Sequence, residues 1–184
     1  MRTEAADRSG RAFGAMIFAV FGAAWLAGWC WFAQRQHPLL YVLVAAVAAG
    51  IFFMAWRTYR LEAVTAAQTP TSPQERRTGR AFTLINVAQW IAIVVGINVL
   101  NNMGLGRWDV PWAILVVGVH FLALVPVFHR SSHVATGAAL IVLAVAYPLL
   151  ATGGPDNPVG LLGTGLILWA SALWALRPAS PARG

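Results

Sequence analysis

The sequence predicts an all-α polytopic membrane protein, with six transmembrane helices arranged as three antiparallel hairpins. Three observations predict it. Of the 184 residues, 59% are hydrophobic and only 10% are charged, whereas a soluble domain carries about 25% charged residues. A soluble chain this apolar would have more apolar surface than it could bury. The apolar residues also fall into six runs, each close to the roughly 20 residues a helix needs to cross a bilayer. None of the runs alternates apolar with polar residues, as the strands of a membrane β-barrel do.

The runs cover about 11–33, 39–56, 81–100, 110–128, 134–151 and 159–176. The first is too long for a signal-peptide core. It carries Trp29, Trp31 and Phe32 where a small-residue cleavage site would stand, so it reads as a true span. Cys30, the sole cysteine, reads as a packed small hydrophobe, because one cysteine makes neither an internal disulfide nor a cysteine-rich metal site. Four connections are tight turns, at 34–38, 101–109, 129–133 and 152–158, and short turns make successive helices antiparallel neighbours. The fifth connection, 57–80, is a longer polar loop broken by Thr69-Pro70-Thr71-Ser72-Pro73. The chain is therefore a single membrane domain.

All thirteen basic residues are arginine, and the net charge is +7. The arginines stand between apolar runs rather than on one face of a soluble module, which speaks for membrane orientation and against nucleic acid as a partner. With the N-terminus cytoplasmic, that side receives eleven arginines and the outer side only Arg35 and Arg107. This places both termini in the cytoplasm of a bacterial cell and the chain in its inner membrane. Trp29, Trp31, Trp108 and Trp112 then stand at the outer interface, with Trp56 and Trp174 near the inner one. The arginine-rich loop meets anionic lipid headgroups. Gly10-Arg11-Ala12-Phe13 recurs 69 residues later as Gly79-Arg80-Ala81-Phe82; a parallel repeat of the first hairpin in the second and chance similarity both account for it.

All six acidic residues lie outside the runs. Intramembrane carboxylates mark proton relays and ion-coupled pumps, so a carboxylate-based antiporter is not expected. The polar residues inside the runs gather in the second hairpin: Asn86, Gln89 and Asn98 in the third run and His120 in the fourth. Gln89 and His120 stand at similar depth, and Asn86 lies one turn from Gln89 on the same helix face. Polar groups in hydrocarbon must find partners, so Gln89 or Asn86 is expected to hydrogen-bond His120. That arrangement is either an interhelical clamp or a binding site for a small solute or ion. The remaining histidines do not match in depth for haem. His129 and His133 have metal-like spacing, but Arg130-Ser131-Ser132 between them reads as a turn, leaving both as surface histidines. Neither cofactor nor metal is expected. No nucleophile-and-base set suggests an enzyme. Small residues four apart, at Ala24 and Gly28, Ala46 and Gly50, and along Gly160, Gly163 and Gly165, are expected to pack helices together.

The segment Gly118-Val119-His120-Phe121, with Leu124 beyond it and Asn98-Val99-Leu100-Asn101-Asn102 and Pro111 before it, resembles a group of uncharacterised bacterial inner-membrane proteins. Those proteins carry a Gly-x-His-Phe signature in a transmembrane helix. The resemblance implies a fold and a compartment but no reaction. Two functions follow as expectations. One is a small solute or ion facilitator with a polar intramembrane site at His120, Gln89, Asn86 and Asn98. The other is a non-transporting scaffold or accessory subunit that acts by helix packing. Homo-oligomerisation suits so small a bundle.

Overall fold

The computed structural model describes residues 2–33, 37–66, 73–128 and 130–177. These residues are almost wholly helical, and no strand occurs among them. The helices are α1 (Arg2–Phe32), α2 (Pro38–Ala66), α3 (Pro73–Asn102), α4 (Asp109–Phe128), α5 (Ser131–Leu150) and α6 (Val159–Ala175). The first five are long and apolar enough to cross a membrane; α6, with 17 residues, is apolar but shorter.

Local chemistry explains the ends. Pro38 and Pro73 open α2 and α3. Proline's fixed φ suits the first turn, where its missing N–H would have had no partner. After α3 and α5 the chain turns through Gly104 (φ 73°) and Gly153 (φ 90°), a left-handed conformation that glycine adopts without steric penalty. The connection expected over 57–80 is mostly helix: α2 runs on to Ala66 and α3 begins at Pro73. Leu61, Glu62 and Ala63 are good helix formers and no proline stands between Pro38 and Pro70, so nothing stops α2 where its apolar run ends. The breaker at Thr69–Ser72 lies outside the described residues.

In the packing order, α1 touches α2 and α6, α5 touches α6 and α4, and α4 touches α3. This leaves α2 and α3 at the two ends of the arrangement. One core gathers Phe121, Leu140, Tyr147 and Leu168 from α4, α5 and α6. A second gathers Ala15, Met16 and Ala19 with Ile51, Ala55 and Ala172. No described side chain of α3 is fully buried. Cys30 is fully buried with a free thiol.

Two glycine crossings set the closest approaches. At the α4–α5 crossing, a Cβ on Gly118 would lie 3.0 Å from the Gly137 carbonyl oxygen, and one on Gly137 would lie 2.8 Å from that of Gly118. At the α1–α6 crossing, a Cβ on Gly165 would lie 2.9 Å from the Gly22 carbonyl oxygen. Gly160 and Gly163 pack on Tyr147 and Leu143, as their spacing suggested. Ala46 and Gly50 do not: both face outward, because α2 buries only Ile51 and Ala55 on its other side.

Two indoles brace two separate helix pairs, α4 against α3 and α6 against α1. Trp112 Nε1 donates to the Ala92 carbonyl of α3 at 3.0 Å, and Trp169 Nε1 donates to the Ala19 carbonyl of α1 at 3.1 Å. Each indole lies over a glycine, Gly96 and Gly22, where a side chain would block it. Trp112→Phe and Trp169→Phe are each expected to lower stability by about 1 kcal/mol for the lost hydrogen bond, read as a lower midpoint in thermal denaturation of the detergent-solubilised protein.

Ion pairs tie the helix ends. Arg130, before α5, pairs with Asp7 in α1, and Arg8 pairs with Glu62 of α2 at 3.5 Å. At the opposite end Arg107 pairs with Asp156 at 3.7 Å. The 69-residue recurrence extends further than four residues. Arg8-Ser9-Gly10-Arg11-Ala12-Phe13 matches Arg77-Thr78-Gly79-Arg80-Ala81-Phe82 at every position but one. It also holds in space: Phe13 meets Tyr59 at 6.2 Å between ring centroids, Phe82 meets Phe128 at 5.9 Å, and both members of the second pair stand 69 residues after those of the first. The pairing of α3 with α4 thus repeats that of α1 with α2.

Candidate functional site

The α3–α4 seam carries the polar residues of interest. On the α4 side of α3, Phe82 meets Phe128, the Ile85 backbone lies against His120, and Ala92 receives the Trp112 indole. Gln89 falls between Ile85 and Ala92 at helical spacing, so it shares this stripe, and it is half-buried. Its amide has no hydrogen-bond partner among the described residues. His120 is half-buried as well, and its Nδ1 is buried with no hydrogen-bond partner. The seam therefore holds an amide and an imidazole about one turn apart in depth; the Gln89 amide is unbonded among the described residues, and the imidazole, hydrogen-bonded to the Ile85 backbone, keeps Nδ1 without a partner.

The other two residues separate from this pair. Asn86 Nδ2 donates to the Phe82 carbonyl one turn back, at 2.9 Å. Asn98 does the same to Val94 at 2.8 Å and is exposed. Asn98 stands twelve residues, about 18 Å of helix rise, beyond Asn86. The expected hydrogen bond from Gln89 or Asn86 to His120 is not made, and Asn98 is not part of one cluster with them. A local acceptor explains both asparagines, because a short amide side chain reaches the carbonyl of residue i−4 in its own helix. The interhelical clamp exists elsewhere: Thr136 and Ser171 share a hydrogen bond of 2.7 Å between α5 and α6, with their own helices accepting as well.

Each member of the Gly-x-His-Phe segment has a distinct role. Gly118 makes the close α5 crossing. Phe121 is buried in the core, 5.3 Å from the Phe18 ring at a steep angle. His120 turns instead toward α3. Phe121 also stacks on His133, with ring centroids 6.1 Å apart and planes at 23°, and Phe128 flanks the same imidazole at 5.8 Å. His133, expected at the surface, is half-buried among aromatic rings. The chain does break before it, since Arg130 is extended and α5 starts at Ser131, but the first turn of α5 folds back over α4. Its signal in the sequence was its place one turn inside a tight connection, opposite two phenylalanines. His129 lies outside the described residues.

Chemically, a neutral imidazole and a primary amide each offer a donor and an acceptor. Together they suit a hydroxylated or amide-bearing solute, or the water shell of an ion. No group of three histidine, cysteine or acidic residues able to hold a metal occurs among the described residues. Among the surface grooves, one is lined by Arg76, Gly79, Arg80, Thr83 and Leu84, and another by apolar residues including Leu100, Trp108, Trp112 and Leu149. Neither is lined by His120. No family model, no curated protein and no solved structure matches the chain.

Proposed function

We propose that the chain is a multi-pass protein of a bacterial inner membrane, with six spans paired as three hairpins and both termini cytoplasmic. In this reading it facilitates passage of a small polar solute or ion by way of His120 and Gln89. The observation that carries it is the buried, unpartnered Nδ1 of His120, whose ring meets the Ile85 backbone of α3. A buried polar atom without a partner costs about 1–3 kcal/mol, and a ligand that visits the site supplies the missing partner. The membrane reading draws support from the outer surface, where large apolar side chains such as Phe53, Val42, Leu84 and Val142 are more than half exposed. It draws support also from the arginine distribution and from the ion pairs that gather alternate helix ends. The resemblance of the Gly118–Phe121 segment to a group of bacterial inner-membrane proteins is a further support for this reading. Anionic headgroups on the cytoplasmic side are its lipid partners, and a second copy is a natural protein partner.

The scaffold reading is favoured by one observation, that neither groove is lined by His120. Reconstituted proteoliposomes separate the two. Swelling in a panel of small polyols, amides and salts is expected to exceed that of protein-free vesicles for at least one class. Rates equal to those of empty vesicles across the panel would remove the facilitator reading and leave the scaffold. A reporter fused at the C-terminus is expected to be active in the cytoplasm; periplasmic activity would overturn the orientation.

A further inference from the structure

The 69-residue recurrence makes α1 and α3 comparable position by position, and their equivalent faces meet different fates. In α1 the stripe Ala15, Ala19, Gly22 and Leu26 is buried, and α6 covers it. The residues 69 positions later, Leu84, Ala88, Ile91 and Val95 of α3, are all exposed. No helix among the described residues covers that face. The charges at the head of the two stripes differ in the same sense. In α1, Arg11 lies one turn after Asp7 and pairs with it at 3.5 Å. In α3 the equivalent arginine is Arg80, and the position of Asp7 is taken by a second arginine, Arg76.

Arg76 and Arg80 are exposed and have no ion-pair partner among the described residues, whereas Arg8, Arg11, Arg107 and Arg130 all have one. The two guanidiniums, with Gly79, Thr83 and Leu84, line one groove. Nothing lies within 4 Å of where a Gly79 side chain would stand. Two arginines one turn apart form a fork suited to a phosphate's oxygens. Below them, toward the middle of α3, runs the open apolar stripe.

We propose that this face of α3 binds one anionic phospholipid, with Arg76 and Arg80 on its phosphate and an acyl chain along Leu84 to Val95. The occupant is argued from charge and from length: a doubly cationic head followed by an apolar stripe is complementary to an anion that carries a hydrocarbon tail. Arg57 and Arg177 are also free of ion-pair partners and exposed, but neither joins this groove. The site is therefore a local one, distinct from the diffuse attraction of a cationic surface to a charged leaflet. The proposal rests on the membrane reading above.

The test uses the full chain in nanodiscs and counts retained phosphatidylglycerol against phosphatidylcholine by native mass spectrometry. Wild type is expected to retain phosphatidylglycerol preferentially. Arg76→Asp restores the carboxylate that the first hairpin carries at Asp7, gives Arg80 an internal partner at a spacing helices tolerate, and is expected to weaken retention about thirty-fold, the loss of two arginine contacts. Arg76→Gln with Arg80→Gln should act alike, whereas Arg57→Gln and Arg177→Gln should retain the lipid as wild type does. Equal losses in all variants, undiminished retention in Arg76→Asp, or inorganic phosphate competing as well as the lipid would each overturn the proposal. Alkaline carbonate washing of the source membranes reads the membrane reading separately. A chain released into the supernatant overturns that reading and this proposal together; a chain that stays in the membrane yet shows no preference for phosphatidylglycerol overturns the proposal alone.

Discussion

His120→Ala is expected to lower solute flux through proteoliposomes about tenfold, the factor for losing one hydrogen bond to a passing ligand, while the protein stays folded. The asymmetry follows from the geometry. The Nδ1 atom has no protein partner to lose, the hydrogen bond to the Ile85 backbone is one modest loss, and the ring's closest aromatic contact is Phe121, at 5.5 Å between centroids and 78° between planes. An edge-on ring contact contributes about 0.5–1.5 kcal/mol beyond burial, so a modest fall in the melting midpoint is expected. His120→Gln keeps a donor and an acceptor and should recover part of the flux. Gln89→Leu, which keeps the volume but removes the amide, should lower flux in the same assay. If His120→Ala melts far below wild type but conducts normally, the histidine is a packing element and the facilitator reading loses its anchor.

Gly137→Ala is expected to destabilise the protein by about 1–3 kcal/mol, the usual range for overpacking a tight contact. The added methyl would stand 2.8 Å from the Gly118 carbonyl oxygen and 2.9 Å from a Leu122 methyl. The leucine can turn away, but the carbonyl belongs to helix backbone and moves only if α4 and α5 separate. Gly118→Ala meets the reciprocal carbonyl and should behave alike. Combining the two should give less than the sum, because the helices need part only once. Gly14→Ala and Gly50→Ala serve as internal references, since nothing lies within 4 Å of either added methyl, and neither should lower the midpoint. A Gly137→Ala protein as stable as these references would show that the α4–α5 crossing has slack that its geometry denies.

Much of the helical plan was legible because it depends on composition along the chain. An apolar run needs no tertiary partner to be recognised, and all six runs became helices. Their ends were less legible. α2 passes through Arg57, Tyr59 and Arg60 to Ala66, because helix propensity does not stop where hydropathy does. The site was half legible. His120 and Gln89 were visible as polar residues at matching depth, and both lie in the seam. Depth along a helix does not say whether a side chain bonds across to a neighbour or back to its own turn. Asn86 and Asn98 took the second course, and Asn98 faces outward.

His133 was read as a surface residue despite its place beside a tight connection, and the Thr136–Ser171 clamp was not legible, since each depends on how the first turns of α5 settle against α4 and α6. The packing order was equally hidden: α1 meets α6 across nearly the whole chain, and α3 is left with one covered side. The sequence by itself determined which segments are helical and apolar, where they turn, and that two of them begin alike at Arg8 and Arg77. Hydropathy and proline or glycine placement act locally, residue by residue, and so can be read in order. Only the tertiary structure decided which face of each helix is covered, and with it that the stripe below Arg11 is buried under α6 while the stripe below Arg80, its equivalent, stands open. Packing joins residues far apart in the chain, and local patterns of similar apolar helices do not distinguish one partner from another.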